Sequence, residues 1–291
     1  MQRLIQGSAM TRQVRKQARP SRMAQMGGLI SGAAILTVIL LASLLASHLI
    51  PYDPIEQNLR DTLQPPSLAH LFGTDNFGRD IFARVLHAAK LDLMIGFLCV
   101  VFPWMLGLAL GGIAGYFGGL TDTLIMRTVD TFTAFPFLIM VIGVIAILGP
   151  GLFGMYVALT LAGWSIYGRI VRAEVLVIKK SEYILAARSL GYGHGRILVR
   201  HVIPNVVTPT IIFAMTDMVL VILSTTSLSF LGLGVQPPTP EWGVMIAEGR
   251  GFILSAWWMV TLPGLAVVLV GVALSLFGDG IARILREGSQ A

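Results

Sequence analysis

The stretch LISGAAILTVILLASLLASHLI, Leu29 to Ile50, decides the class of fold. Its 22 residues include no Asp, Glu, Lys or Arg. Wound as a helix they reach about 33 Å, enough to cross a bilayer core roughly 30 Å thick. Basic residues precede it, as in a signal peptide, but the apolar run exceeds the roughly 7 to 15 residues of a signal core and no small-residue cleavage site follows. It reads as a retained first helix. Similar uncharged runs occupy residues 93–121, 131–168, 218–240 and 252–278.

The composition agrees. Of 291 residues, 55% are hydrophobic and 12% charged, about half of the roughly 25% charged fraction of a soluble domain. So little polar surface cannot cover a water-soluble particle, and nearly the whole chain reads as membrane domain. Cys99 is the single cysteine, which excludes an intrachain disulfide and a thiolate zinc site; it reads as a small apolar residue.

The 38-residue run 131–168 is too long for one span, and Gly149-Pro150-Gly151 interrupts it with strong turn chemistry. It divides into two helices, the first starting near Leu120 and taking in Asp122, Arg127 and Asp130, the second continuing towards Ile178. Asp217 falls inside a span that begins near Asn205. The pattern predicts an all-α membrane protein with about six spans, near 27–50, 92–116, 120–148, 152–178, 205–232 and 257–282.

Basic residues set the orientation. Arg3, Arg12, Arg15, Lys16, Arg19 and Arg22 precede the first span, and Lys179, Lys180, Arg188, Arg196 and Arg200 fill the fourth connection. Both face the cytoplasm in this reading, and Arg283 and Arg286 after the sixth span land on the same side. The predicted organisation is a cytoplasmic basic segment at 1–26, a transmembrane domain at 27–285 and a cytoplasmic tail at 286–291. Within the domain, 51–91 and 233–256 are external and 179–204 is cytoplasmic. The net charge of +6 then belongs to segments beside anionic lipid, not to a nucleic-acid surface.

Gly107, Gly111, Gly115 and Gly119 recur every four residues and place a small-residue stripe on one helical face. Two readings stay open, packing within the chain and packing against a partner subunit. The segment GPGLFG, Gly149 to Gly154, has the glycine spacing of a dinucleotide fingerprint, but it joins two membrane-length runs where that fingerprint needs a strand before it. No GxxxxGK[ST] phosphate loop is present. The connection Lys179 to His201 reads as structured: Ser181 suits an N-cap, Glu182 to Leu190 are helix-compatible, and Gly191 suits a left-handed C-terminal stop. Gly193 and Gly195 then permit a turn, and Pro204 opens the fifth span.

The stretch EYILAARSLGYGHGRILVRHVIPN, from Glu182 to Asn205, resembles the EAA loop of the permease subunits of binding-protein-dependent ABC importers. Ala186, Ala187, Gly191 and Pro204 match its pattern in register. Leu185 stands where a glutamate is usual, with Glu182 one turn earlier as a substitute, and His201 and Ile203 stand where Ile and Leu are usual. Three further stretches, FGTDNFGRDIFARV (Phe72 to Val85), GYFGGLTDTLIMRTVD (Gly115 to Asp130) and LSFLGLGVQPPTPEWGVMIAEGR (Leu228 to Arg250), are similar to the C-type permease of the dipeptide, oligopeptide and nickel class. The resemblance spans about residues 30–285 and leaves the first thirty without a counterpart.

The resemblance implies a type I ABC importer permease fold in a bacterial inner membrane, with no catalysis, cofactor or metal on this chain. It implies a heterodimer with a second homologous permease, two cytoplasmic ATPase subunits that carry ATP and Mg, and a periplasmic binding protein that delivers di- or oligopeptides. Nickel, glutathione or opine-like solutes are the alternatives within the class, and a self-contained secondary transporter or channel is the alternative outside it. By the same resemblance, Glu182, Ala186, Ala187, Gly191 and Pro204 belong to the ATPase-docking coupling loop.

The turn-rich block Gly73, Thr74, Asp75, Gly78, Arg79 and Asp80 has two open readings, contact with the binding protein or periplasmic gate, and local stabilisation of a turn. Charges within spans are costly and should face protein or water. Arg127 and Asp130 are spaced to pair on one helix face, either as structure or beside a pathway, and Asp217, without an evident local partner, is the candidate pathway residue. The five histidines are scattered without metal-ligand spacing.

Overall fold

The computed structural model describes residues 22–288, with side chains from 27 to 285; the basic segment at 1–21 and the last residues of the tail lie outside the described part. Everything described is helix, turn or loop apart from one isolated bridge between Thr74 and Asp80. Helix α1 is Arg22–Leu44, followed by the one-turn α2, Ala46–Leu49. A segment of turns then leads to α3, Ile81–Phe117, which begins well before the expected residue 92. Its extra turns carry Arg84, His87 and Lys90, polar residues that read as outside a span, and Asp92 stands at the expected start. The fold covers Asp92 with its own backbone: the carboxylate accepts from the Trp242 N–H at 3.1 Å.

Gly118, at φ +69°, breaks α3 from α4, Gly119–Ala134. The expected single span 120–148 is two helices instead. α4 ends at Phe135-Pro136, and α5, Phe137–Leu148, departs at 94° to it. A residue before proline is disfavoured in the helical region, and Phe135 sits at an extended ψ of 138°. Gly149 and Gly151, both at positive φ, turn the chain into α6, Leu152–Ile178.

A short α7, Glu182–Ser189, follows. α8, His194–Ile197, runs through a π turn, Leu198–Val202, into α9, Ile203–Phe230. Gly195 therefore lies in helix and not in the predicted turn, and the continuous helical rod starts at His194 rather than near 205. The loop after α9 holds α10, Trp242–Gly249, and α11 is Trp258–Gly288.

Among the described residues four helices are long and apolar enough to cross a membrane by themselves, Gly27–Leu44, Ile81–Phe117, His194–Phe230 and Trp258–Leu285, and the bent pair α4 and α5 makes a fifth if the two form one span. α6 has the length, but Arg169, Arg172 and Glu174 in its second half make it more polar. The chain is thus an all-helical membrane protein with four or five candidate spans.

The most extensive helix contact joins α3 to α6, and the glycine stripe makes it possible. A Cβ on Gly107 would sit 2.7 Å from the Gly168 nitrogen, and one on Gly111 3.0 Å from the Gly168 carbonyl carbon. On Gly115 it would meet Val175 Cβ at 2.8 Å. Of the two readings of the stripe, packing within the chain holds for these three. Gly119 is not part of it: it lies past the break at φ +56°, and a Cβ there would meet nothing within 4 Å.

Candidate functional site

Three regions contain the residues singled out in the sequence. The first is the turn-rich block before α3. Asp75 Oδ1 accepts from the backbone N–H groups of Phe77 at 2.8 Å and Arg79 at 3.0 Å, while Oδ2 accepts from Arg79 Nε at 2.6 Å. Arg79 Nη2 reaches on to Glu248 Oε2 at 2.9 Å, and Arg84 Nη2 donates to the same oxygen at 3.0 Å. Arg84 Nη1 also donates to the Pro54 carbonyl at 3.1 Å. Asp80 caps α3 by accepting from the Ala83 N–H at 2.7 Å, and its other oxygen meets His70 Nδ1 at 2.9 Å.

Thr74 accepts from the Gln64 N–H at 2.8 Å and donates to the Asp61 carbonyl. Gly73 and Gly78 take positive φ where neither has room for a Cβ; at Gly78 it would overlap the Asn58 carbonyl. The residues Thr74, Asp75, Arg79, Asp80 and Arg84 are all buried, at 4% exposure or less. The block is a charge-paired clamp that ties residues 54–80 to α10. Buried charges are retained only when paired and hydrogen-bonded in this way. The sequence reading missed Arg84 and Glu248, because Glu248 lies 169 positions from Arg79 and only the tertiary fold joins them.

The second region is the 179–204 loop. Gly191 stands at φ +78°. The Tyr192 N–H donates to the Ala187 carbonyl at 3.2 Å and the Gly191 N–H to Arg188 at 2.9 Å, the paired bonds of a Schellman stop. The predicted left-handed end of α7 is therefore present. Ser181 caps differently from expectation: its hydroxyl donates back to the Ile178 carbonyl at 2.7 Å and makes no bond to the new helix. Ile184 and Ala187 pack into a cluster with Tyr116, Val171, Val175, Ile197 and Val206. Glu182, Tyr183, Leu185, Ala186, Leu190 and Gly191 are exposed. Pro204 opens α9 at its first turn. Lys179 Nζ donates to the Gly115 carbonyl at 2.8 Å and Tyr116 Oη lies 3.2 Å from His194 Nδ1, which fixes the base of the loop to the end of α3.

The third region is a cavity of about 530 Å³ between α3, α5, α6 and α9. Asp217 lines it, and Tyr167 Oη donates to Asp217 Oδ2 at 2.8 Å. Nothing in the residue spacing pointed to this partner, which is 50 positions away on another helix. The expected Arg127–Asp130 pair does not form. Asp130 accepts from Arg169 Nη2 at 3.1 Å, and Asp122 takes both Nε and Nη2 of Arg172 at 2.5 and 2.6 Å, so α4 is tied to α6 and not to itself. Among the described residues no three His, Cys, Asp or Glu side chains converge as a metal site.

These helices overlay, over 70% of this chain and 97% of the other, on a subunit of the MetNI methionine ABC transporter in an inward-facing conformation, with a TM-score of 0.56 at 20% identity. That establishes a shared fold. The sequence goes further. Residues 107–288 match the model of the binding-protein-dependent transport system inner membrane component, and residues 11–66 match the N-terminal transmembrane domain of oligopeptide transport permease C. This chain belongs to that family of inner-membrane transport components.

The permease is 40% identical over 274 residues, 94% of its length and 88% of the other's, to the dipeptide transport system permease protein DppC of Alkalihalophilus pseudofirmus. It is 40% identical over 264 residues, 89% of its length and 87% of the other's, to the di/tripeptide transport system permease protein DppC of Pseudomonas aeruginosa. The match from residue 11 corrects the expectation that the first thirty residues have no counterpart. As a permease of a binding-protein-dependent ABC importer, it is a multi-pass, non-catalytic component of the inner membrane. That assignment leaves no place for a secondary transporter or a channel.

Proposed function

We propose that this permease forms half of the translocation path of an ATP-driven importer of di- or oligopeptides. In this reading it crosses the membrane six times with both termini in the cytoplasm, α6 supplying the crossing that its charges make less apolar, shielded by the ion pairs to α4. A second, homologous permease completes the path, two ATPase subunits that carry ATP and Mg dock from the cytoplasm, and a periplasmic binding protein delivers the solute. The dipeptide transporters among its relatives support the substrate class.

The observation that carries the reading is α7. One face is locked into the protein's own core through Ile184 and Ala187, while the other leaves Tyr183, Leu185, Ala186 and Leu190 uncovered. A short helix anchored from behind and bare in front suits docking on an ATPase. Glu182, Ala186 and Gly191 present the docking side, Ala187 anchors it, and Pro204 starts the span that receives the motion. Leu185, where the family has a glutamate, makes this contact apolar. On the other side, Gly73, Thr74, Asp75, Gly78, Arg79 and Asp80 hold the external segment in the shape that meets the binding protein or forms the gate. Asp217 stands in the path.

Gly191→Pro tests the coupling, since proline cannot reach φ +78° and removes the N–H that closes the helix. Co-expressed with its second permease, ATPases and binding protein and reconstituted in lipid, wild type should show ATP-dependent dipeptide uptake. The variant should retain permease pairing and lose uptake. ATPase-free uptake by this chain alone would sink the proposal.

A further inference from the structure

Asp217 is the one acid on the walls of the 530 Å³ cavity, and no Lys, Arg or His lines it. The other walls are apolar side chains such as Phe137, Leu159 and Leu220, with the hydroxyls of Ser224 and Ser227 towards one end. Tyr167 holds the acid from behind: it is buried, its ring stands edge-on to Phe213 at 5.2 Å, and its hydroxyl claims Oδ2. Among the described residues nothing donates to Oδ1. An acid kept at membrane depth is costly and faces a cation or a solute path, and in this cavity the protein supplies no cation.

We propose that Asp217, oriented by Tyr167, is a subsite for an ammonium group of the passing solute, the amino terminus of a peptide; naming the peptide rests on the function proposed above. An ammonium that sheds water on entering an apolar cavity needs a replacement acceptor, and the free Oδ1 offers a charge-assisted bond of roughly 2.7 to 2.9 Å. The division of labour follows from the lining. The charged end shared by all peptides is fixed by one carboxylate, while walls that are mostly apolar accept varied side chains.

The test uses the full complex in lipid with one reporter thiol, Ser224→Cys, placed on the same cavity wall in a Cys99→Ala background. Labelling rates are compared for a cationic trimethylammonium-bearing and an anionic sulfonate-bearing methanethiosulfonate. With Asp217 intact the cationic reagent should react faster by roughly tenfold or more. Asp217→Asn should bring the ratio of rates close to that of a free thiol. Dipeptide should slow labelling in the Asp217 protein and not in the Asn variant. Equal ratios in the two proteins would overturn the subsite. So would a thiol shielded from both reagents throughout ATP turnover, which would mean that the second permease seals this face. A charge preference that dipeptide leaves untouched would keep the cation subsite and overturn the peptide as its occupant.

Discussion

Gly78 and Gly191 hold nearly the same backbone angle, φ +71° and +78°, for different reasons. Gly78 turns inside the clamp, where a Cβ would overlap the Asn58 carbonyl; Gly191 ends α7 with nothing within 4 Å of its missing Cβ. An alanine at either position bears a left-handed strain on the order of 1–2 kcal/mol, but only at Gly78 must the neighbouring backbone also move. Gly78→Ala is therefore expected to lower the thermal midpoint of the purified protein, followed by loss of the monodisperse peak after heating, by several degrees more than Gly191→Ala. Equal shifts would mean that the Asn58 loop yields freely. The need for a stop at Gly191 was legible in the sequence, because a glycine follows a helix-compatible stretch. The ion partners were not. Spacing along the chain points only to neighbours on the same helix, so it paired Arg127 with Asp130, whereas the fold gives Asp130 to Arg169 and Asp122 to Arg172.

At the scale of elements, α10 is fastened to α3 by acids. Asp92 and Glu241 are both buried, and their carboxyl groups are within hydrogen-bonding reach of each other. A bond between two carboxyls requires one proton, donated by whichever group holds it. Glu241 also caps α10 by accepting from the Val244 N–H at 2.8 Å, with Ser229 beside it. No Lys or Arg acts on the pair among the described residues, and burial pushes the Glu241 carboxyl up. A folded value raised above the unfolded one gives stability that is fully present below the unfolded value and lost as pH rises through the folded value. Hydrogen-exchange protection of Trp242–Gly249, corrected for intrinsic rate, should accordingly fall as pH rises. Glu241→Gln, whose amide donates without titrating, should flatten that fall; an unchanged slope would remove the pair as its cause. α3 begins at residue 81 and not 92 because Asp80 caps it there; the charges in its first turns read as solvent because their cover, such as Glu248 of α10 over Arg84, is known only from the fold. The bend at Phe135-Pro136 was written in the sequence, but the apolar run on both sides of it hid the break.

For the whole molecule, the glycine stripe determines how closely the centre of the bundle is packed. Gly111→Ala would press a Cβ against the Gly168 backbone, whereas Gly264→Ala on α11 meets nothing within 4 Å. Overpacking at such a contact costs typically 1–3 kcal/mol. The first variant should lose monodisperse protein in detergent and the second should match wild type; an unaffected Gly111→Ala would show that α3 and α6 separate at little cost. The stripe itself stood out in the sequence, yet its partner did not, since a small-residue face fits any helix that comes close. With their backbones this near each other, α3 and α6 form a keel: a single stiff plank about which lighter parts pivot. Distances measured between spin labels on α3 and α6 should accordingly stay constant through the ATP cycle, and a change between them would show that this pair is not stiff.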